Sequence, residues 1–411
     1  MRNIYDIFKE RGFIEQVTDE NMLRELFEEP ITCYIGFDPT AKSLHVGSLL
    51  PIMSLAHMQR EGHRPIALVG GGTSLVGDPS GKDEIRTVMT REEIDINADG
   101  IKRQLSHFID FTNGKALMLN NADWLAPLNY IDFLRDIGRH FSVNRMLAAE
   151  SYRQRMETGL SFLEFNYMLL QAYDFWYLFK NYNCLLQMGG NDQWGNILAG
   201  ADLVRRIEGK IIHGLTFPLI TTADGHKMGK TQKGAVWLDP ELTSPYEYYQ
   251  YWVNIDDRDV KRFLSYFTFL PMDEIEKFSR LKDEKLREAK EVLAYEATKI
   301  CHGQEAADNA RSSARQLFSK GAIKDIGEIP TYSLTRKDLG EGIEAYILFQ
   351  KTGLCKTRGE ARRLISQRGA YINGQTIPSF ETIVGPDDIR SDIILLRAGK
   401  KKYLKVQIQD S

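Results

Sequence analysis

ITCYIGFDPTAKSLHVGS, residues 31–48, runs from a short apolar stretch through a turn at Asp38-Pro39 into a segment with helical spacing. Leu44, Leu49, Ile52, Leu55 and Met58 recur at helical intervals through residue 61. The pattern predicts a buried strand, a turn and then a helix. Two other stretches repeat the first half of this theme. IALVGGGTSLVGD, residues 66–78, and NCLLQMG, residues 183–189, are apolar runs ending in glycines, and the second leads into a helical stretch from Asn196 to Glu208. Buried strands alternating with helices, with glycine-rich loops after the strands, predict an α/β fold built on a Rossmann-like doubly wound parallel sheet. Such a sheet binds ligands beyond the carboxyl ends of its strands.

The remainder of the 411 residues divides by composition. Pro245 to Ser319 is rich in Glu, Lys, Ala and Leu and reads as helical, while Gly321 to Gly340 reads as a linker. Ile343 to Arg368 predicts two short helices broken near Lys356-Gly359. AYINGQTIP, residues 370–378, predicts a hairpin turning at Asn373-Gly374, and residues 392–408 predict a second hairpin. The expected domains are therefore 1–220, 221–320 and 341–411, with 321–340 connecting the last two.

Apolar residues make up 43% and charged residues 27%, which excludes a disordered or collagen-like chain. The sequence holds no apolar run of membrane-spanning length, and Met1 to Glu20 mixes acids and bases without the apolar stretch of a secretory signal. The four cysteines, Cys33, Cys184, Cys301 and Cys355, form no CxxC pair, so neither a zinc site nor a disulfide framework is expected and a reducing, cytoplasmic setting is. The net charge of −3 hides an asymmetry: residues 351–411 hold 12 Lys/Arg against 6 Asp/Glu, so this tail carries +6 and the rest −9. A basic module on an acidic body points to a polyanion held at one end. The competing reading is the solvated face of a small domain.

Two phosphate-loop patterns fail. Gly229-Lys230-Thr231 resembles the end of a Walker A motif, but Asp224 stands where its first glycine belongs, and the GxGxxG begun by Gly70 and Gly72 ends on Leu75. More specific is His45-Val46-Gly47-Ser48 at a helix start, where N–H groups and the positive dipole end favour phosphate and where Thr40 and His45 add donors. Lys227-Met228-Gly229-Lys230-Thr231 adds two lysines three apart on a glycine-containing loop. Taken singly, His45 is an ordinary surface histidine and the lysines a solvated pair; together they read as two sides of a nucleotide site.

These two segments, HVGS and KMGKT, resemble the HIGH and KMSKS signatures of class I aminoacyl-tRNA synthetases. YIGFDPTAKSLHVGS, GDPSGK, EFNYMLLQAYDF and QMGGNDQWGNI narrow the resemblance to the bacterial-type tyrosyl-tRNA synthetases. The resemblance implies activation of L-tyrosine by ATP and transfer to tRNA(Tyr), with Mg2+ accompanying ATP and no dedicated carboxylate cage for it. It implies that Thr40, His45, Lys82, Arg86, Lys227, Lys230 and Thr231 act on the phosphates. It places Gly36, Asp38, Gly47, Ser48, Gly190 and Asp192 around the nucleotide. Tyr34 and Asp174 would bind the phenol hydroxyl, Asp78, Tyr167 and Gln171 the ammonium, and Gln187 and Gln193 the region of the amino-acid carboxylate. Tyr167, Gln171 and Asp174 fall at i, i+4 and i+7 and share one helix face.

The C-terminal segment KTRGEARRLI resembles the small RNA-binding fold of ribosomal small-subunit protein four, with Lys356, Arg358, Arg362 and Arg363 facing phosphates. Residues 86–161 resemble the family's connecting insertion, which implies a homodimer. Ser48 replaces the second signature histidine, Gly229 and Thr231 replace two serines, and Asn191 stands where many relatives have Ser. The competing readings are a synthetase-like RNA-binding regulator without aminoacylation, another adenylate-forming nucleotidyltransferase, and a tryptophan-specific relative. The first would have lost His45, Lys230 or the tyrosine pocket; the last is disfavoured by Asp174 beside Tyr34.

Overall fold

The computed structural model describes residues 2–78, 89–149, 152–153, 156–157, 159–225, 227–231, 234–281, 285–318, 330–340, 342–389, 393–399 and 402–409. It divides into two compact units, one of residues 1–243 with 248–307, the other of residues 244–247 with 308–411.

The first unit is built on a six-stranded sheet: β1 (Gln16–Val17), β2 (Thr32–Phe37), β3 (Arg64–Val69), β4 (Leu117–Asn120), β5 (Cys184–Gly190) and β6 (His213–Phe217). The spatial order is β1-β6-β5-β2-β3-β4. All pairs are parallel except the short β1–β6 edge pair. Continuous apolar runs such as Ile66-Ala67-Leu68-Val69 suit strands covered on both faces, and these four are all buried. From β2 the chain builds outward through β3 and β4 on one side, then returns to place β5 and β6 on the other. The order therefore reverses between β2 and β5, which is where a doubly wound sheet opens a crevice.

Helices fix the strand ends. Leu49–Arg60 is buried around most of its circumference, and Pro51 sits in its first turn, where a missing N–H costs little. Tyr167–Tyr182 ends at Asn183 with φ 51°, and Trp194–Glu208 ends at Gly209 with φ 64°. These two helices approach closely at Gly200, where a Cβ would lie 2.9 Å from the Phe175 ring. Glycine is thus a packing requirement there, and it seats the helix carrying Tyr167, Gln171 and Asp174 against the one that follows β5.

The second unit has its own sheet. Its strand order is Gln375–Thr376, Ala370–Ile372, Ile393–Ala398, Lys402–Gln409 and Thr331–Thr335, with the last pair parallel and the others antiparallel. Asn373 and Gly374, at φ 47° and 84°, make the expected turn, since both central residues of a type I′ turn need positive φ. Helices Ala345–Lys351 and Arg358–Ser366 pack on one face of this sheet through Leu348, Phe349, Ala361 and Ile365.

Two domain expectations differ from what is observed. Residues 321–340 do not all serve as a linker, because Thr331–Thr335 pairs with Lys405 to Gln409 and Leu334 enters the core. Nor do residues 221–243 and 248–307 separate from residues 1–220: Arg11, at the end of the helix Ile4–Arg11, donates to the carbonyls of Ser265, Thr268 and Leu270 and is buried between them. The composition shift from Pro245 onward marked a change of secondary structure and not of packing unit.

Candidate active site

A cleft of about 1600 Å³ opens at the carboxyl ends of β2 and β5. Its walls include Tyr34, Gly36, Asp38, Thr40, His45, Gly47, Ser48, Asp78, Tyr167, Gln171, Asp174, Gln187, Gly190, Asp192, Gln193 and Lys227. These residues come from segments up to almost 200 positions apart, and the sheet's reversal point brings them together. Lys82 and Arg86 lie outside the described residues. Lys230 and Thr231 form a strand paired with Gly234–Ala235, and only their backbone is described.

At the deep end Tyr34 and Asp174 are almost wholly buried, at 1% and 2% exposure. Asp174 accepts from Asn121 Nδ2 at 2.9 Å and from Trp124 Nε1 at 2.7 Å. Burial pushes its carboxyl up to about 7, although both hydrogen bonds act in the other direction. Asn121 is itself pinned, accepting from the Gly72 N–H at 2.7 Å and donating to Thr73 Oγ1 at 2.9 Å. The Tyr34 hydroxyl and Gln187 Oε1 are buried without a hydrogen-bond partner among the described residues. Burial, and secondarily the charge of Asp174, raises the Tyr34 phenol well above its ordinary value. A chamber that is apolar in its walls and holds a carboxylate, a phenol and an unpaired amide oxygen is suited to a ligand carrying its own hydroxyl.

Beside it lies an amide and carboxylate network. Gln193 Nε2 donates to Asp78 Oδ2 at 2.7 Å and to Asp192 Oδ2 at 2.9 Å. Gln193 Oε1 accepts from Gln171 at 3.1 Å and from Asn196 at 3.2 Å, and Asn196 also donates to Gln171 Oε1 at 3.0 Å. Asp78 is buried, at 7% exposure. A cationic group is the natural complement to this carboxylate with its flanking amide oxygens. At the mouth, Gln16 of the edge strand donates to Asn191 Oδ1 at 2.6 Å. A Cβ on Gly190 would lie 2.5 Å from Asp192 Oδ1, so only glycine leaves that carboxylate where it is.

The two glycine-containing segments singled out in the sequence touch. Leu44 and Val46 pair with Val236 and Leu238 through hydrogen bonds of 2.9 Å each. A Cβ on Gly47 would fall 2.7 Å from the Met228 carbonyl oxygen, and one on Gly229 2.7 Å from His45 Nδ1. Gly229 also holds φ at +103°, a conformation side chains rarely adopt. Lys227 bridges to Thr221 through its backbone and lines the cleft.

One expectation fails here. The helix start at residue 45 does not offer a bed of free N–H groups. Val46 N–H donates to the Val236 carbonyl, Gly47 N–H to His45 Nδ1 and Ser48 N–H to the His45 carbonyl. Any anion at this end would have to be held by side chains.

Sequence reasoning missed Asn121, Trp124, Asn196 and Trp237. Asn121 follows β4 directly and could have been found from the rule that ligands gather at strand ends. Trp124 and Trp237 carried no signal of their own, because the groups they meet, Asp174 for the first and the His45 ring at 6.1 Å for the second, belong to distant segments. Asn196 lay inside QMGGNDQWGNI, three positions from Gln193, to which it donates. In the second unit, Arg358 and Arg363 are exposed on one helix, while the Arg362 guanidinium lies 4.2 Å from the Tyr346 ring centroid and 5.4 Å from that of Phe380.

Residues 26–319 match the family model of class I tRNA synthetases for tryptophan and tyrosine, and residues 325–406 match that of the C-terminal domain of SYY-like tyrosine–tRNA ligases. The chain is 57% identical to the tyrosine–tRNA ligase of Syntrophus aciditrophicus, with all of both chains covered. It is 58% identical to that of Desulfosudis oleivorans, with 99% of each covered. Among solved structures, a C-terminally truncated mitochondrial tyrosyl-tRNA synthetase of Aspergillus nidulans aligns with a TM-score of 0.70 at 35% identity, over 77% of this chain and 95% of that one.

Proposed function

From the premise that the chain belongs to the class I tRNA synthetases for tyrosine and tryptophan, and within them to the tyrosine–tRNA ligases, we propose how its cleft joins tyrosine to tRNA at the expense of ATP. The protein is an ATP-dependent ligase acting in two steps. A carboxylate oxygen of L-tyrosine attacks the α-phosphorus of ATP, the bond to the β-phosphate bridging oxygen breaks, and pyrophosphate leaves. A ribose hydroxyl of the terminal adenosine of tRNA(Tyr) then attacks the tyrosyl carbonyl carbon, and AMP leaves. The substrates supply both nucleophiles, so the protein's work is orientation and charge stabilisation.

In this reading the tyrosine ring enters the deep chamber and its hydroxyl meets Asp174 and Tyr34. The ammonium lies at Asp78, Tyr167 and Gln171, with Gln187 and Gln193 toward the carboxylate. Gly36, Asp38, Gly47, Ser48, Gly190 and Asp192 border the nucleotide. Thr40, His45, Lys82, Arg86, Lys227, Lys230 and Thr231 neutralise the departing pyrophosphate. Mg2+ comes with the nucleotide, its phosphates being the main ligands. Among the described residues there is no group of three or more potential metal ligands. The protein works in the cytoplasm. Among the described residues no helix is long and apolar enough to cross a membrane.

The assembly is a homodimer through the insertion. Of the fourteen exposed large apolar side chains among the described residues, five fall between Tyr130 and Met156 of the insertion, including Ile131 at 67% exposure, and Phe162, at 71%, and Leu163 follow directly after it. Such a concentration calls for a protein partner. Lys356, Arg358, Arg362 and Arg363 take tRNA phosphates.

The observation that carries the reading is the packing of Gly47 against Met228 and of Gly229 against His45 in the same cleft that holds Tyr34 and Asp174. Incubation with ATP, labelled tyrosine and tRNA(Tyr) tests it. One AMP and one pyrophosphate should form per tyrosyl-tRNA, and ATP turnover without charging would contradict it.

A further inference from the structure

The outer face of the second unit's sheet, opposite its helices, carries a row that the reading above leaves unused. Tyr371, Arg397 and Tyr403 stand in register on three adjacent strands. The Arg397 guanidinium carbon lies 3.5 Å from the Tyr371 ring centroid and 5.8 Å from that of Tyr403. Two residues along from Tyr403, on the same face, is Lys405. The opposite face buries Ile394, Leu396, Val406 and Ile408 against the helices.

Cross-strand aromatic pairs commonly serve only to hold a sheet together. Arg397 does not fit that role well. Its Nε is buried with no hydrogen-bond partner among the described residues, and its one bond there is a long 3.4 Å contact to the Tyr403 hydroxyl. An apolar residue would brace the strands without leaving a charged donor unsatisfied. The positions in register on this face include no acidic residue. The surrounding tail carries +6. A flat aromatic and guanidinium surface with a nearby lysine offers what an unpaired nucleotide needs: a plane to stack on and a cation for its phosphate.

We propose that Tyr371, Arg397 and Tyr403 form a stacking platform for an unpaired base of the bound tRNA, with Lys405 on an adjacent phosphate. This contact is separate from the Arg358–Arg363 helix face and rests on the reading of the chain as a tRNA ligase. The dissociation constant for tRNA(Tyr), measured by fluorescence anisotropy on the full-length protein, tests it. Arg397→Ala and Tyr403→Ala should each weaken binding by about tenfold. Tyr403→Phe, which keeps the ring, should bind nearly as wild type. Arg397→Lys, which keeps the charge without the plane, should bind as weakly as Arg397→Ala. Lys405→Gln should reduce the slope of log affinity against log salt by about 1.

Tyrosine-dependent pyrophosphate exchange, which needs no tRNA, should be unchanged in all of these. Loss of exchange in the wild-type protein would strike the ligase reading, and the platform with it. Normal exchange with wild-type tRNA affinity in Arg397→Lys and Tyr403→Ala would overturn the platform alone.

Discussion

Tyr34 on β2 and Gln187 on β5 stand opposite each other in the parallel register, and each ends in a buried polar atom with no partner among the described residues. This pairing spans the strands between which the sheet reverses its order. The protein thus holds two unmet hydrogen-bonding groups side by side at its topological switch point, beside the buried carboxylate of Asp174. Leaving such a group unpaired costs about 1–3 kcal/mol, and a ligand that pairs it recovers that free energy as affinity.

Tyr34→Phe removes one of these groups. The free protein should melt no lower than wild type, because an unsatisfied hydroxyl has gone. The KM for tyrosine should rise about tenfold. Calorimetry and steady-state exchange kinetics check the two halves, and a large drop in melting temperature would mean that the hydroxyl is paired in the free protein.

Asp174 predicts two pH effects. Its carboxyl is raised to about 7 by burial, so the native state keeps a proton that the unfolded chain releases near its ordinary value of about 3.9. The stability it contributes is full below that ordinary value and is lost as pH rises through about 7. The melting temperature of wild type relative to Asp174→Asn should therefore fall between pH 5 and pH 8. Tyrosine, donating its phenol proton to the ionised carboxylate, should release a proton on binding near pH 6.5. Titration calorimetry in buffers of different ionisation enthalpy would show this release, and no buffer dependence would contradict it.

Gly229→Ala places a methyl group 2.7 Å from His45 Nδ1 in a backbone conformation side chains avoid. The strain, roughly 1–3 kcal/mol, should push the lysine segment away from His45. Adenylate formation should slow at least about tenfold, while tyrosine binding without ATP, measured by equilibrium dialysis, stays unchanged. A wild-type rate would show that this contact has no part in the reaction.

Ile131→Glu and Phe162→Glu change exposed positions at which folding within one chain buries little. Each should leave the melting temperature near that of wild type and shift sedimentation from dimer to monomer at micromolar protein. A wild-type protein that sediments as a monomer would remove the proposed interface.

Much of the fold was legible because buried parallel strands announce themselves as apolar runs ending in glycine. Ile66 to Val69 and Cys184 to Gly190 fell where such runs predict. The Asn373-Gly374 turn was equally plain, since its backbone demands those residues. Thr331–Thr335 was not legible: its alternating polar residues look like linker until Lys405 to Gln409 lies beside them. Many residues that line the cleft were recoverable from short motifs. Those that hold them were not. Trp124 reaches Asp174 from 50 positions away, and only the sheet's topology makes them neighbours. The helix start at His45 misled in one respect, because spacing locates N–H groups but cannot show that Val236 and the His45 ring already occupy them.

Exchange of labelled pyrophosphate into ATP, run separately with tyrosine, phenylalanine and tryptophan and without tRNA, measures directly whether this cleft activates an amino acid for its phenol hydroxyl. The account predicts exchange with tyrosine and a preference over phenylalanine of roughly a hundredfold or more, since the latter leaves the Tyr34 hydroxyl unpaired and brings Asp174 no donor beyond Asn121 and Trp124. Equal exchange with tyrosine and phenylalanine, or none with any of the three, would contradict it.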